Sequence, residues 1–127
     1  MNPTEMRSLV DFYIDGYNRM DVDAMIEGVH PLVEFKNISA GKVNASTIGV
    51  VELKTLAQQA LLLFSERRQD IKSFEVKGSR AVATIAFRAV VANDMLNGLK
   101  KGEVLKLSGR SEFEFKDGKI YKITDIS

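Results

Sequence analysis

The sequence predicts an α+β fold in which a mainly antiparallel sheet is covered on one face by helices that precede most of it. Three observations carry this reading. Apolar residues recur every three or four positions over much of the first 64 residues, the period of a helix with one buried face. From Asp70 onward the period changes to two, the repeat of a strand. Near the end, Asp117-Gly118 joins two alternating runs as a two-residue hairpin turn. Helices first and strands afterwards is the order of an α+β domain.

A chain of 127 residues makes one domain, residues 1–127, long enough to bury a core without disulfides or a structural metal. There is no cysteine, which excludes disulfides, thiolate chemistry and cysteine-ligated zinc, and a single histidine excludes a multi-histidine metal site within one chain. No cofactor is implied. The net charge is +1, and Lys and Arg are spread along the whole chain with no basic cluster, so nucleic acid is not an expected partner. The amino terminus is broken by Glu5, Arg7, Asp11 and Asp15 and does not read as a signal peptide. The longest apolar run, Ala60 to Phe64, is far too short to span a membrane, so a soluble cytoplasmic protein is the expectation.

Asn2 or Thr4 caps a first helix whose Met6, Leu9, Val10, Tyr13, Ile14 and Tyr17 form one face, with Arg7, Asp11, Asp15 and Asn18 opposite. Asp21 caps a short second helix, Val22 to Gly28, which Gly28 ends. Leu32 to Ile38 alternates as a strand, and Ser39 to Ser46 reads as a loop. A third helix starts near Gly49 with a stripe of Leu53, Leu56, Ala57, Ala60, Leu61 and Phe64. Leu62 and Leu63 widen that stripe, making this the most deeply buried helix, and Arg67-Arg68 close its carbonyl end. Ile71, Phe74 and Val76 mark a strand, Gly78-Ser79 a turn, and Ala81 to Ala92 a long strand. Asn93 to Gly102 connects to the closing hairpin, Val104 to Phe115 and Lys119 to Ile126.

Alternation assigns faces. Leu105, Leu107, Gly109, Ser111, Phe113 and Phe115 face the helices. Pairing across the turn then puts Ile120, Lys122, Thr124 and Ile126 inside and Tyr121, Ile123 and Asp125 outside, with Asp125 paired to Arg110. Both faces of Ala81 to Ala92 are apolar enough to be covered, which points to a homodimer through the outer sheet face.

Tyr13, Tyr17-Asn18, Asp21-Val22-Asp23 and Met25 in the helix pair, Gly49-Val50-Val51-Glu52-Leu53 at the third helix, and Phe113 to Ile120 in the closing hairpin form a set of segments. Together they resemble the nuclear transport factor 2-like superfamily, in its SnoaL-like polyketide cyclase and ketosteroid isomerase branch. In order they span nearly the whole chain. The resemblance implies a cystatin-like cone, a strongly curved sheet wrapped around three helices, with an apolar pocket at its open end. It also implies that Tyr13 stands where the isomerases place a tyrosine that donates to a substrate oxygen. Where they carry a basic carboxylate this chain has Phe35, with Glu34 turned to the other face and Asn37 two residues on, and where they carry a second acid it has Ser111. The isomerase constellation is therefore incomplete, and other acid–base groups come into view: His30, whose imidazole can both accept and donate a proton, and Asp94 at a strand end.

Three readings stay open. The first is a homodimer that binds a small apolar molecule among Tyr13, Tyr17, Phe35, Asn37, Phe87, Ser111, Phe113, Lys122 and Thr124. The second is an isomerase or cyclase acting on an apolar carbonyl compound through Tyr13 with His30 or Asp94. The third is an interaction module without catalysis. Tyr13 as a plain core residue, His30 as a loop-capping residue and Lys122 as a rim residue with its ammonium in water are the structural alternatives.

Overall fold

A computed structural model describes residues 1–127. The first helix, α1 (Pro3–Asn18), begins with a reciprocal cap. The Glu5 N–H donates to the Asn2 side chain at 2.8 Å and the Asn2 N–H donates to Glu5 Oε1 at 3.1 Å, with Pro3 preset for the first turn. α2 (Val22–Ile26) is capped by Asp21, whose carboxylate accepts the Ala24 N–H at 3.1 Å. The two helices touch at Gly16, where an added Cβ would lie 2.5 Å from the Met25 backbone nitrogen, so only glycine allows this approach.

Two strands follow, β1 (Val29–Ser39) and β2 (Lys42–Ile48), then α3 (Val50–Ala60) and β3 (Phe64–Lys77), β4 (Arg80–Val91), β5 (Val104–Lys116) and β6 (Lys119–Ile126). They form one curved six-stranded sheet in the order β2-β1-β6-β5-β4-β3, antiparallel throughout except where β1 runs parallel to β6. Asp117 and Gly118 both take positive φ (54° and 72°), as a type I′ turn demands, and Lys116 pairs with Lys119 across it. The core lies between the concave face and the helices: Val10, Tyr13 and Ile14 of α1 meet Val33, Phe113, Ile120 and Ile123 of the sheet.

Several expectations require correction. The stretch after Ser39 is not a loop but half a hairpin: Ala40 and Gly41 (φ 51° and 78°) turn the chain, and β2 pairs back on β1. Ala-Gly is a poor sequence mark for such a turn because alanine rarely adopts positive φ. The third helix stops at Ala60, and Leu62 and Leu63 stand 75% and 45% exposed in the following turn. α3 buries only Leu53 and Ala57, against five residues in α1, so α1 is the central helix. Arg67 and Arg68 consequently lie in β3, with Arg67 buried. Asn18 also leaves the solvent side: its amide donates to the Gln69 carbonyl (3.0 Å) and accepts the Gln69 N–H (2.7 Å), pinning the end of α1 to β3.

The last correction concerns register. Phe115 pairs with Ile120 but Glu114 pairs with Lys122, so Tyr121 is an extra residue in β6. Beyond it every side chain changes face. Ile123 is fully buried and Asp125 lies opposite Ser111 on the concave side, while Lys122 and Thr124 turn outward. Lys122 there faces Glu34 of β1, Nζ to Oε2 3.9 Å. Asp125 is thus no partner of Arg110, whose guanidinium instead donates to Glu112 at 3.1 Å. No helix is long and apolar enough to cross a membrane.

Candidate functional site

The concave face is not filled by side chains. A cavity of about 360 Å³ lies between the sheet, α1 and α3, with 14 hydrophobic residues among the 23 that line it. That size and balance suit a small organic molecule. α3 supplies one wall through Leu53, Leu56, Ala57 and Ala60; β4 and β3 supply Ile85, Phe87 and Phe64. Phe87 packs edge-on against Phe64 (5.8 Å between centroids) and tilted against Tyr17 (6.5 Å), which fixes that wall.

Polar groups gather at two places. On β5 and β6, the Ser111 hydroxyl donates to Asp125 Oδ1 at 2.6 Å, a charge-assisted bond between directly paired residues. Burial pushes the Asp125 carboxyl up to about 6, and the Ser111 bond pulls partly the other way. Tyr13, on α1, is pushed well above the ordinary phenol value by burial first and by the nearby Asp125 next, so its hydroxyl stays protonated. On β3, Arg67 is 6% exposed; its Nε donates to the Tyr17 carbonyl at 3.0 Å and its guanidinium lies 3.7 Å from the centre of the Tyr17 ring. Tyr17 is raised by burial and held back chiefly by the Arg67 charge.

Of the residues expected at a site, Tyr13, Tyr17, Phe35, Asn37, Phe87 and Ser111 line the cavity. Asn37 sits at its edge, its amide donating to Asn44 at 2.7 Å. Phe113 lies in the core beneath, 1% exposed and edge-on to Tyr13. Lys122 and Thr124 lie on the other face of the sheet for the register reason given above.

His30 and Asp94 are remote from the cavity. His30 is buried beside the closing turn: Nδ1 accepts the Leu32 N–H at 3.0 Å, Nε2 meets Asp117 Oδ2 at 3.1 Å, and the ring packs edge-on to Tyr121. Both ring nitrogens are occupied: Nδ1 braces the start of β1, and Nε2 ties that strand to the closing turn. Asp94 is exposed and accepts the Lys101 N–H at 3.0 Å, ordering the connection between β4 and β5.

The residues missed are Asp125, Arg67 and Gln69. Alternation continued backward from Ile71 places Gln69 and Arg67 on one face, a signal hidden by assigning Arg67 to a helix. No group of three or more His, Cys, Asp or Glu side chains is arranged to hold a metal ion.

The profile of the SnoaL-like domain family matches residues 10–123, and the chain belongs to that family. None of the curated proteins matches it. Among solved structures it is similar to TsrD from Streptomyces laurentii (TM-score 0.81, 17% identity, covering 98% of this chain and 89% of that one). It is also similar to an LEH-like epoxide hydrolase from M. tuberculosis (0.76, 15%, 97% and 82%). A third is TerC co-crystallized with polyporic acid (0.77, 19%, 96% and 90%). At these identities the likeness is one of fold.

Proposed function

We propose that the cavity takes up a small, mainly apolar carbonyl compound and that Asp125 moves a proton on it. The observation that carries this reading is a carboxyl group raised to about 6 inside an apolar cavity and held by Ser111. Such a group serves both sides of a proton transfer near neutrality: about nine-tenths is ionised at pH 7, yet its conjugate acid is strong enough to return the proton.

The arrangement of the cavity's polar groups supports a division of labour. Ionised Asp125 removes a proton from the carbon beside the substrate carbonyl, and the C–H electron pair becomes the enolate. Ser111 holds the carboxylate through Oδ1 and leaves Oδ2 for the proton. Tyr13, a buried phenol kept protonated, donates to the oxygen on which charge develops. With a β,γ-unsaturated substrate the protonated Asp125 then delivers the proton to the γ-carbon of the dienolate, an isomerisation; with a dicarbonyl substrate the enolate carbon attacks the second carbonyl and the alkoxide so formed takes the proton from Asp125, a cyclisation. Phe35 in place of a carboxylate on β1 is compatible with this arrangement, since the acid–base group comes from β6 instead. Relatives of the same fold that include an epoxide hydrolase and a protein co-crystallized with polyporic acid support a pocket for a small organic molecule.

Exchange of the α-protons of 2-tetralone in deuterated buffer, followed by nuclear magnetic resonance, tests the reading. Exchange above the buffer rate that falls at least about a hundredfold in Asp125→Asn supports it. A ketone that binds without faster exchange would refute the acid–base role and leave a carrier without turnover, the second reading that an apolar cavity of this size favours.

A further inference from the structure

Arg67 presents a separate problem that the proton transfer does not use. It is 94% withdrawn from solvent by its 6% residual exposure, and it lines the cavity. A guanidinium has five N–H donors. Here Nε is satisfied by the Tyr17 carbonyl and the plane is stacked on the Tyr17 ring, but buried Nη2 has no hydrogen-bond partner. No carboxylate approaches Arg67 within ion-pair distance, although twelve ion pairs form elsewhere in the chain. Asp125, the one Asp or Glu side chain in the cavity lining, already receives Ser111.

A buried cation without a counter-ion is costly unless something completes it. The free chain gives up that stability, and the cost is recovered when a ligand supplies the missing acceptor. The geometry points to Arg67 as the anchor for an anionic oxygen of the ligand, so that the occupant is a small, largely apolar molecule carrying one carboxylate or enolate-type oxygen. Gln69, two residues along β3 on the same cavity wall, adds an amide donor beside it. The Tyr17 ring holds the guanidinium plane in place, which lowers the ordering cost of binding. This inference rests on the cavity being a ligand site, and it adds the charge that the ligand must carry.

Equilibrium binding of two probes by isothermal titration calorimetry at about pH 7.5 tests it: 2-naphthoate, and 2-acetonaphthone as a neutral molecule of nearly the same shape. The wild-type protein is expected to hold 2-naphthoate about tenfold or more tighter, the range of a charge-assisted hydrogen bond. Arg67→Met is expected to abolish that preference while keeping the affinity for 2-acetonaphthone, and Arg67→Lys to keep part of it. Equal affinities in the wild-type protein, or a preference that survives Arg67→Met, would overturn the anchor and leave the ligand cavity standing. Binding of neither probe would overturn both. If Arg67→Met does not fold, the wild-type ratio and Arg67→Lys decide.

Discussion

Asp125→Asn is expected to make the protein more stable and to do so only at higher pH. The carboxyl stands at about 6 in the fold against an ordinary value of 3.8, because burial disfavours its charge. A raised acid works against folding once ionised. Below about pH 4 the group is protonated in both states and costs nothing; between about 4 and 6 the unfolded chain ionises first, and stability falls; above about 6 the loss is complete. At roughly 1.4 kcal/mol for each tenfold, the gap between 3.8 and about 6 amounts to about 3 kcal/mol. Asparagine carries no charge and still offers an oxygen to the Ser111 hydroxyl, so it removes this cost while leaving the bond.

Urea unfolding of both proteins at about pH 4, 6 and 8 measures the effect. The variant should match the wild type at the lowest pH and exceed it by about 2–3 kcal/mol at the highest, a shift of about one molar or more in the midpoint. Against a total stability of about 5–15 kcal/mol that is a large gain. It would come together with loss of proton exchange, because the same desolvation that costs stability raises the carboxyl toward neutrality. A difference between the two proteins that does not change with pH would refute the reasoning. So would a variant that loses ground as the pH rises, since the ionised carboxylate would then be stabilised by the fold.

Tyr13→Phe should slow exchange of 2-tetralone protons by about a hundredfold and leave stability within about 1 kcal/mol, read by the same resonance assay and by urea unfolding. A variant as active as the wild type would remove Tyr13 from the reaction. His30→Ala should leave exchange unchanged and cost about 1–3 kcal/mol, because the Leu32 N–H and Asp117 lose a buried partner; an activity loss without a stability loss would contradict its structural role. The outer face of β4 keeps half-buried Val82, Ala86 and Val90 beside exposed Thr84 and Arg88, and a second copy covering it is expected. Light scattering at about 10 µM should then give twice the chain mass of 14.1 kDa. A monomer at that concentration would refute the expectation.

The elements were legible where one local rule decided them. Asn2 and Glu5 cap α1, Asp21 caps α2, and Asp117-Gly118 turns the hairpin, because in each case the side chain or the positive φ acts within four residues. The site was legible only where alternation ran unbroken from such a landmark. Ser111 is two residues from Phe113 on β5, and Phe35 is correctly placed inward, with Glu34 outside against Lys122. β6 failed because a single extra residue, Tyr121, separates the turn from the site, and a bulge is a property of two paired strands that neither announces alone. Yet the sequence held a trace of it. A strict alternation from Ile120 put Lys122 and Thr124 inside and Ile123 outside, two polar residues in a core position and an apolar one in water. Spacing the isoleucines by three instead of two removes both conflicts and carries Asp125 inward with Ile123. The local inconsistency and the cavity carboxylate therefore have one origin: the bulge that breaks the strand's pattern is the feature that aims Asp125 into the cavity, two residues past the last buried isoleucine and directly opposite the serine that holds it.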